Sequence, residues 1–322
     1  MNRFSLWFMI SRGYSLILSV IPYFLAVCLA SARYDINFQY SFLGLLGVVL
    51  VQAAINMLDD YCDWTSGKVE AYKENITNVE NSRSHKCFYL EQNIISSKTL
   101  LFAIIFCCTI ASLIGIYLAF MCGFIIIQIA MLGALLAISY SLPPFNLNSK
   151  GLGELAIGII FGPLIMSGAY IVAGGNPFDG VNLISSFIVG ILIANVAHTH
   201  SIMDYDADIK NNKNTLAVCL LNKKKAIFFQ LLLYVWAYLF LILGIVYDIL
   251  PIQSLLTLLI FPYAVELNEL MMNEDTTQKL WMGPITRLKD DKDNYFMLRL
   301  CLSRNIVLFF SILLALTYYL YD

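Results

Sequence analysis

Nine uninterrupted apolar runs, each long enough to cross a bilayer as a helix, constrain this chain more than any other feature. They lie near residues 14–32, 38–58, 99–119, 124–142, 154–173, 183–203, 226–246, 252–272 and 305–320. A hydrocarbon core about 30 Å thick takes about 20 helical residues, and within lipid every backbone N–H and C=O must be satisfied by the segment itself. The runs therefore predict an all-α integral membrane protein built as a bundle of nine transmembrane helices, with residues 1–322 forming one polytopic domain. Composition agrees: 59% of the residues are hydrophobic and 13% charged, too little polar surface for a water-soluble domain. The alternation of a membrane β-barrel is missing. A net charge of −2 with no strongly basic segment gives no electrostatic footprint for nucleic acid.

Lys and Arg set the orientation. With the N-terminus inside, 19 of the 20 basic residues fall on the inner side, and only Arg33 lies outside. The positive-inside rule then predicts a cytoplasmic N-terminus and an external C-terminus in a bacterial or archaeal cell membrane. Met1–Arg12 reads as the lead-in to the first span, because no small-residue cleavage site precedes a soluble domain. The outer connections (33–37, 120–123, 174–182 and 247–251) are short. The inner ones at 59–98, 204–225 and 273–304 are long, and long ordered loops tend to carry function. The eight cysteines show no C-x-x-C spacing, which speaks against a zinc site or a disulfide framework.

Two acid clusters stand where apolar helices meet these inner loops. In the first, Asn56, Asp59, Asp60 and Asp63 fall at i, i+3, i+4 and i+7, so all four share a helix face. Carboxylates ~5 Å apart repel by roughly 3 kcal/mol per pair at an effective dielectric near 20, so a cation is expected among them. Hard oxygen ligands suit Mg²⁺, which is commonly held by a few carboxylates together with substrate phosphates. In the second cluster, Asp204 and Asp208 lie at i, i+4 at the end of the sixth run, while Asp206 points elsewhere. Acids at a helix C-terminus are disfavoured by the macrodipole, which again calls for a cation. Two opposed acidic faces predict a Mg²⁺-diphosphate site with Asn56, Asp59, Asp60, Asp63, Asp204 and Asp208 as candidate ligands. Asp60, Asp63, Asp204 and Asp208 are the residues expected to carry catalysis. Arg12, Arg83, Lys86 and Lys213 flank the clusters, either as contacts for diphosphate oxygens or as ordinary positive-inside residues.

The first cluster resembles the N-D-x-x-D-x-x-x-D motif of the UbiA superfamily of intramembrane prenyltransferases. Asp59 stands at the usual Asn, Asp60 and Asp63 match, and Gly67 stands at the last Asp. Asp204-x-x-x-Asp208 is similar to the family's second motif, and Lys213-Asn214-Thr215-Leu216-Ala217-Val218 to its G-K-x-T-L-A-V continuation, with Asn212 in place of Gly. Asp60-Tyr61-Cys62-Asp63-Trp64, Lys150-Gly151-Leu152-Gly153-Glu154, Phe161-Gly162-Pro163 and the stretch from Ser15 to Pro22-Tyr23 look like the menaquinone branch, the 1,4-dihydroxy-2-naphthoate prenyltransferases.

This resemblance implies nine helices around a lipid-accessible cavity. It implies Mg²⁺-dependent transfer of a polyprenyl group from its diphosphate to an aromatic acceptor such as 1,4-dihydroxy-2-naphthoate. It also places Tyr140 like a family pocket tyrosine; read alone, Tyr140 is equally an interface anchor. Within the same chemistry the acceptor is alternatively 4-hydroxybenzoate, homogentisate or a glycerol phosphate lipid. A cation-coupled transporter is the rival of another class, although transporter sites sit near the bilayer midplane on broken helices, unlike acids at helix ends.

Overall fold

The computed structural model describes residues 2–67, 69, 87–142, 144–273 and 291–319. Among these, eight helical segments are long and apolar enough to cross a membrane. In chain order the helices are α1 (Arg3–Ile10), α2 (Ile17–Ser31), α3 (Phe38–Thr65), α4 (Phe88–Glu91), α5 (Ser97–Cys122), α6 (Ile125–Ser141), α7 (Gly153–Ile159) and α8 (Ile165–Val172). There follow α9 (Gly180–Met203), α10 (Tyr205–Lys210), α11 (Leu216–Cys219), α12 (Lys223–Val246), α13 (Phe261–Met272) and α14 (Asp291–Tyr319). A π-turn at Ile160–Leu164 joins α7 to α8 in one span, and a 3-10 segment at Ile252–Ile260 leads into α13 in another. The fourth expected span, α6, is apolar but only 17 residues long. The nine apolar runs thus become eight full-length spans and one short one.

Helix starts follow the sequence's capping residues. The Asn37 side chain accepts from Tyr40 N at 3.0 Å, Ser96 Oγ from Thr99 N at 3.1 Å, and Asn222 from Lys224 N at 2.8 Å, each satisfying an amide that a helix start leaves orphaned. Close packing rests on small residues. A Cβ at Gly162 would lie 2.4 Å from Ser186 O, and one at Gly190 would lie 2.7 Å from Gly158 O. The α7–α8 span and α9 therefore touch backbone to backbone, as small residues allow in lipid. Deeper in, Asn195 Nδ2 donates to Gln230 O at 3.0 Å, and Gln230 Nε2 to Thr199 Oγ1 at 2.6 Å. His198 Nε2 meets Ala226 O at 2.9 Å. These polar groups tie α9 to α12.

Three boundaries differ from the sequence expectation. The lead-in to the first span is a separate helix, α1, because Arg12 adopts a left-handed conformation at φ 52° and turns the chain. α3 runs on to Thr65, beyond the apolar run that ends near residue 58, so the whole first cluster lies on the helix, as its spacing predicts. α14 begins at Asp291, shortening the expected 273–304 connection. α9 stops at Met203, where the sixth apolar run ends, and Asp204 forms a joint before α10.

Candidate active site

The last two turns of α3 carry the first cluster. Arg12 Nη2 lies 2.8 Å from Asp59 Oδ2 and also donates to Asp60 Oδ1. The turn that presents Arg12 is pinned to α3: Asn56 Nδ2 donates to Ser11 O at 3.0 Å and to Ser15 Oγ at 3.1 Å, while Gln52 Nε2 donates to Ser15 O at 3.0 Å. One guanidinium therefore bridges two adjacent carboxylates. Burial disfavours its charge, but Asp59 and Asp60 overcome this and hold its pKa above the ordinary value.

The remaining oxygens of the pair find other donors. Ser141 Oγ donates to Asp59 Oδ1 at 2.9 Å, and the Tyr89 hydroxyl to Asp60 Oδ2 at 2.7 Å. Desolvation, followed by the Asp60 charge, raises the Tyr89 phenol above its usual range, so it remains a donor. Tyr89 is fixed by a small apolar cluster with Ile10, Ala54, Met57, Leu90 and Leu100. Asp63 follows one turn further along the same face. Gly67, where the resembling motif has its last acid, closes α3 at φ +70°, with its N–H bonded to Trp64 O at 3.2 Å. Glycine suits that left-handed position, and a side chain there would leave the face shared by Asp59 and Asp63.

The second cluster centres on Asp208. Asp208 is buried, its amide donates to Asp204 O at 2.8 Å, and Lys213 Nζ approaches Asp208 Oδ1 at 3.6 Å. Asp208 Oδ2 is buried with no hydrogen-bond partner. Desolvation, partly opposed by Lys213, raises the Asp208 pKa to about 6. Asp206 turns outward, 3.9 Å from Lys223.

The two clusters are framed by one connection. It leaves α6 at Ser141, which touches Asp59, and reaches Lys150, whose backbone pairs with Asn214 just beyond Asp208 and Lys213. Gly151 lies so close to α11 that a Cβ would stand 2.8 Å from Cys219 Sγ. Tyr140 rests against the start of α7, its ring 3.2 Å from where a Cβ of Gly153 would be.

The structure thus joins Arg12, Asn56, Asp59 and Asp60 directly, and Lys213 with Asp208. Arg83 and Lys86 lie outside the described residues. Tyr89 and Ser141 were missed in the sequence; the only hint of Tyr89 was the short apolar island Cys87–Leu90 in an otherwise polar loop. Among the described residues, no group of three or more His, Cys, Asp and Glu side chains could hold a metal ion. That suits a cation shared with a substrate, since Mg²⁺ keeps waters and takes only one or two protein carboxylates beside phosphate oxygens. The hard oxygen donors and the unpartnered Asp208 Oδ2 fit such an ion.

Comparison with known proteins agrees with this layout. The model of the UbiA prenyltransferase family matches residues 19–282. UbiA prenyltransferase domain-containing protein 1 of Dictyostelium discoideum is 28% identical over 244 residues, 73% of this chain and 70% of that protein. The 1,4-dihydroxy-2-naphthoate octaprenyltransferase of Bacillus subtilis is 23% identical over 221 residues, 68% of this chain and 66% of that one. A solved structure of a UbiA homolog from Archaeoglobus fulgidus bound to GPP and Mg²⁺ superposes with a TM-score of 0.61 at 13% identity, covering 94% of this chain and 99% of that one. The likeness in fold and the family match over most of the chain lead to one conclusion: this chain belongs to the UbiA prenyltransferase family and is a membrane-embedded prenyltransferase.

Proposed function

We propose that this enzyme transfers a polyprenyl group, with Mg²⁺, from its diphosphate to an aromatic acceptor, 1,4-dihydroxy-2-naphthoate being the leading choice. The observation that carries the reading is the pair of acid clusters framed by the 142–152 connection, the second holding a buried carboxylate oxygen without a partner. The Bacillus subtilis relative's name supports the acceptor, and the ligands of the Archaeoglobus fulgidus structure support donor and ion. The acidic end faces the cytoplasm in this reading, as the distribution of Lys and Arg supports.

Asp204 and Asp208 would hold one ion and Asp63 another, with Asn56, Asp59 and Asp60 beside Asp63. Bound Mg²⁺ supplies positive charge to the leaving diphosphate. The chain's own residues do the rest. Arg12 and Lys213, with Arg83 and Lys86, neutralise diphosphate oxygens. Apolar helices keep water from the electron-poor prenyl carbon, and the Tyr140 ring face offers it cation–π stabilisation. The electron-rich acceptor ring then attacks.

The test is product mass. Purified protein incubated with polyprenyl diphosphates and a panel of dihydroxynaphthoate, 4-hydroxybenzoate, homogentisate and glycerol phosphate lipid is expected to prenylate the naphthoate. Product from another acceptor alone would reassign the substrate; no product from any would overturn the reading.

A further inference from the structure

One buried carboxyl group lies outside both acid clusters. Glu154, in the first turn of α7, is 4% exposed. The ion pairs among the described residues join Arg12 to Asp59 and Asp60, Lys213 to Asp208 and Lys223 to Asp206, and none reaches Glu154. Its hydrogen-bond partner is Ser201, whose Oγ donates to Oε1 at 2.6 Å. A buried carboxylate without a cation is costly, and such groups concentrate at functional sites.

Its position gives that cost a use. Ser201 precedes Asp204 by three residues, on the same helix face and about 4.5 Å deeper at 1.5 Å rise per residue. Along α9, Ala194, Ala197 and Ser201 are partly open, as is Asp204 just beyond its end, while most of the helix is buried. A diphosphate held at Asp204 and Asp208 with its tail toward the membrane interior would direct its prenyl carbon inward, toward the level of Ser201 and Glu154. Tyr140 packs against Gly153 at the same level. His198 binds Ala226 O through Nε2 and leaves Nδ1 buried without a partner.

We propose that Glu154 receives the acceptor: its carboxylate accepts a hydrogen bond from a ring hydroxyl and takes that proton as the ring attacks. The step balances. The prenyl C–O bond breaks and its electron pair leaves with diphosphate. A ring carbon supplies the pair for the new C–C bond, while the hydroxyl O–H pair becomes a ring carbonyl. Loss of the proton on the alkylated carbon and return of one to oxygen restore the aromatic ring, so one proton is released per turnover. The inference rests on the prenyl-transfer reading and names the residue that handles its acceptor.

The test uses the full-length protein carrying Glu154→Gln, which preserves shape and an acceptor for Ser201, with Glu154→Asp and Ser201→Ala alongside. Glu154→Gln is expected to lower kcat/KM for the acceptor about 100-fold while leaving the donor KM within about twofold. Acceptors whose hydroxyl is already ionised at the assay pH should recover most of the loss, and Glu154→Asp should retain part of the rate. Unchanged acceptor kinetics in Glu154→Gln would overturn the proposal. So would a loss that is equal for every acceptor, shared by Ser201→Ala and accompanied by a lower melting temperature, since that describes a packing residue. A wild-type enzyme that prenylates nothing would instead overturn the underlying function, and is told apart by the wild-type control.

Discussion

The Tyr89 hydroxyl donates to Asp60 Oδ2 at 2.7 Å across a sequence separation of 29 residues. It thereby fixes the carboxylate at the centre of the first cluster from an element outside the long spans. Removing the hydroxyl in Tyr89→Phe leaves a buried charged oxygen without its donor, a cost of about 1.5–3 kcal/mol. Thermal unfolding in detergent should show the lower stability. Activity should drop about tenfold, as for other partners that orient ligands, with the donor still bound.

Arg12 bridges Asp59 and Asp60. Arg12→Gln removes the guanidinium that bridges two adjacent carboxylates, and breaking such a pair costs about 3 kcal/mol where it is largely buried. Arg12→Lys should recover only part, because an ammonium lacks the planar fork of the guanidinium. Mg²⁺ should raise the melting temperature of Arg12→Gln more than that of the wild type, since the ion takes the vacated role. Equal Mg²⁺ responses in the two proteins would contradict the assignment.

Asp208 makes stability and metal binding depend on pH. Its pKa rises from 3.8 to about 6 in the folded protein, first through desolvation. Between those values the folded state holds a proton that the unfolded state has lost, so stability falls as pH rises through the window. The difference is worth about 3 kcal/mol above pH 6. Without divalent ions, Asp208→Asn should therefore be more stable than wild type at neutral pH, and the gap should close as pH falls below 4. Metal affinity should run the other way, weakening as Asp208 gains its proton below about pH 6. Melting curves and Mn²⁺ titrations across pH 4–8 check both signs.

The backbone contact between the α7–α8 span and α9 leaves no room for a methyl group at Gly162, where a Cβ would meet both Ser186 O and the Gly190 backbone. Gly162→Ala should destabilise the fold by about 1–3 kcal/mol. Gly115→Ala serves as the control, because nothing lies within 4 Å of a Cβ there. A melting temperature that falls in both variants alike would refute the close-contact explanation.

The spans and the two acid faces were legible in the sequence because each depends on local pattern: length of apolar run for the helices, and i, i+3, i+4 and i+7 spacing for Asn56 to Asp63. The partners of those acids were not. Ser141 and Tyr89 reach Asp59 and Asp60 from elements 82 and 29 residues away, and no periodicity encodes such a pairing. The turn at Arg12 was hidden for another reason, since a left-handed arginine has no sequence signature and is held by tertiary bonds from Asn56 and Gln52 to Ser11 and Ser15. Glu154 stood in view as part of a motif, but only burial without a cation marks it as more than a helix-start acid.

The central claim is that both acid clusters act on one diphosphate. Diphosphate release from a polyprenyl diphosphate, followed with and without Mg²⁺ in the wild type, Asp60→Asn, Asp208→Asn and the double variant, tests it most directly. The account predicts Mg²⁺-dependent release in the wild type, a loss of about 100-fold in each single variant, and little further loss when the two are combined. Full activity in either single variant, or losses that simply multiply in the double, would contradict it.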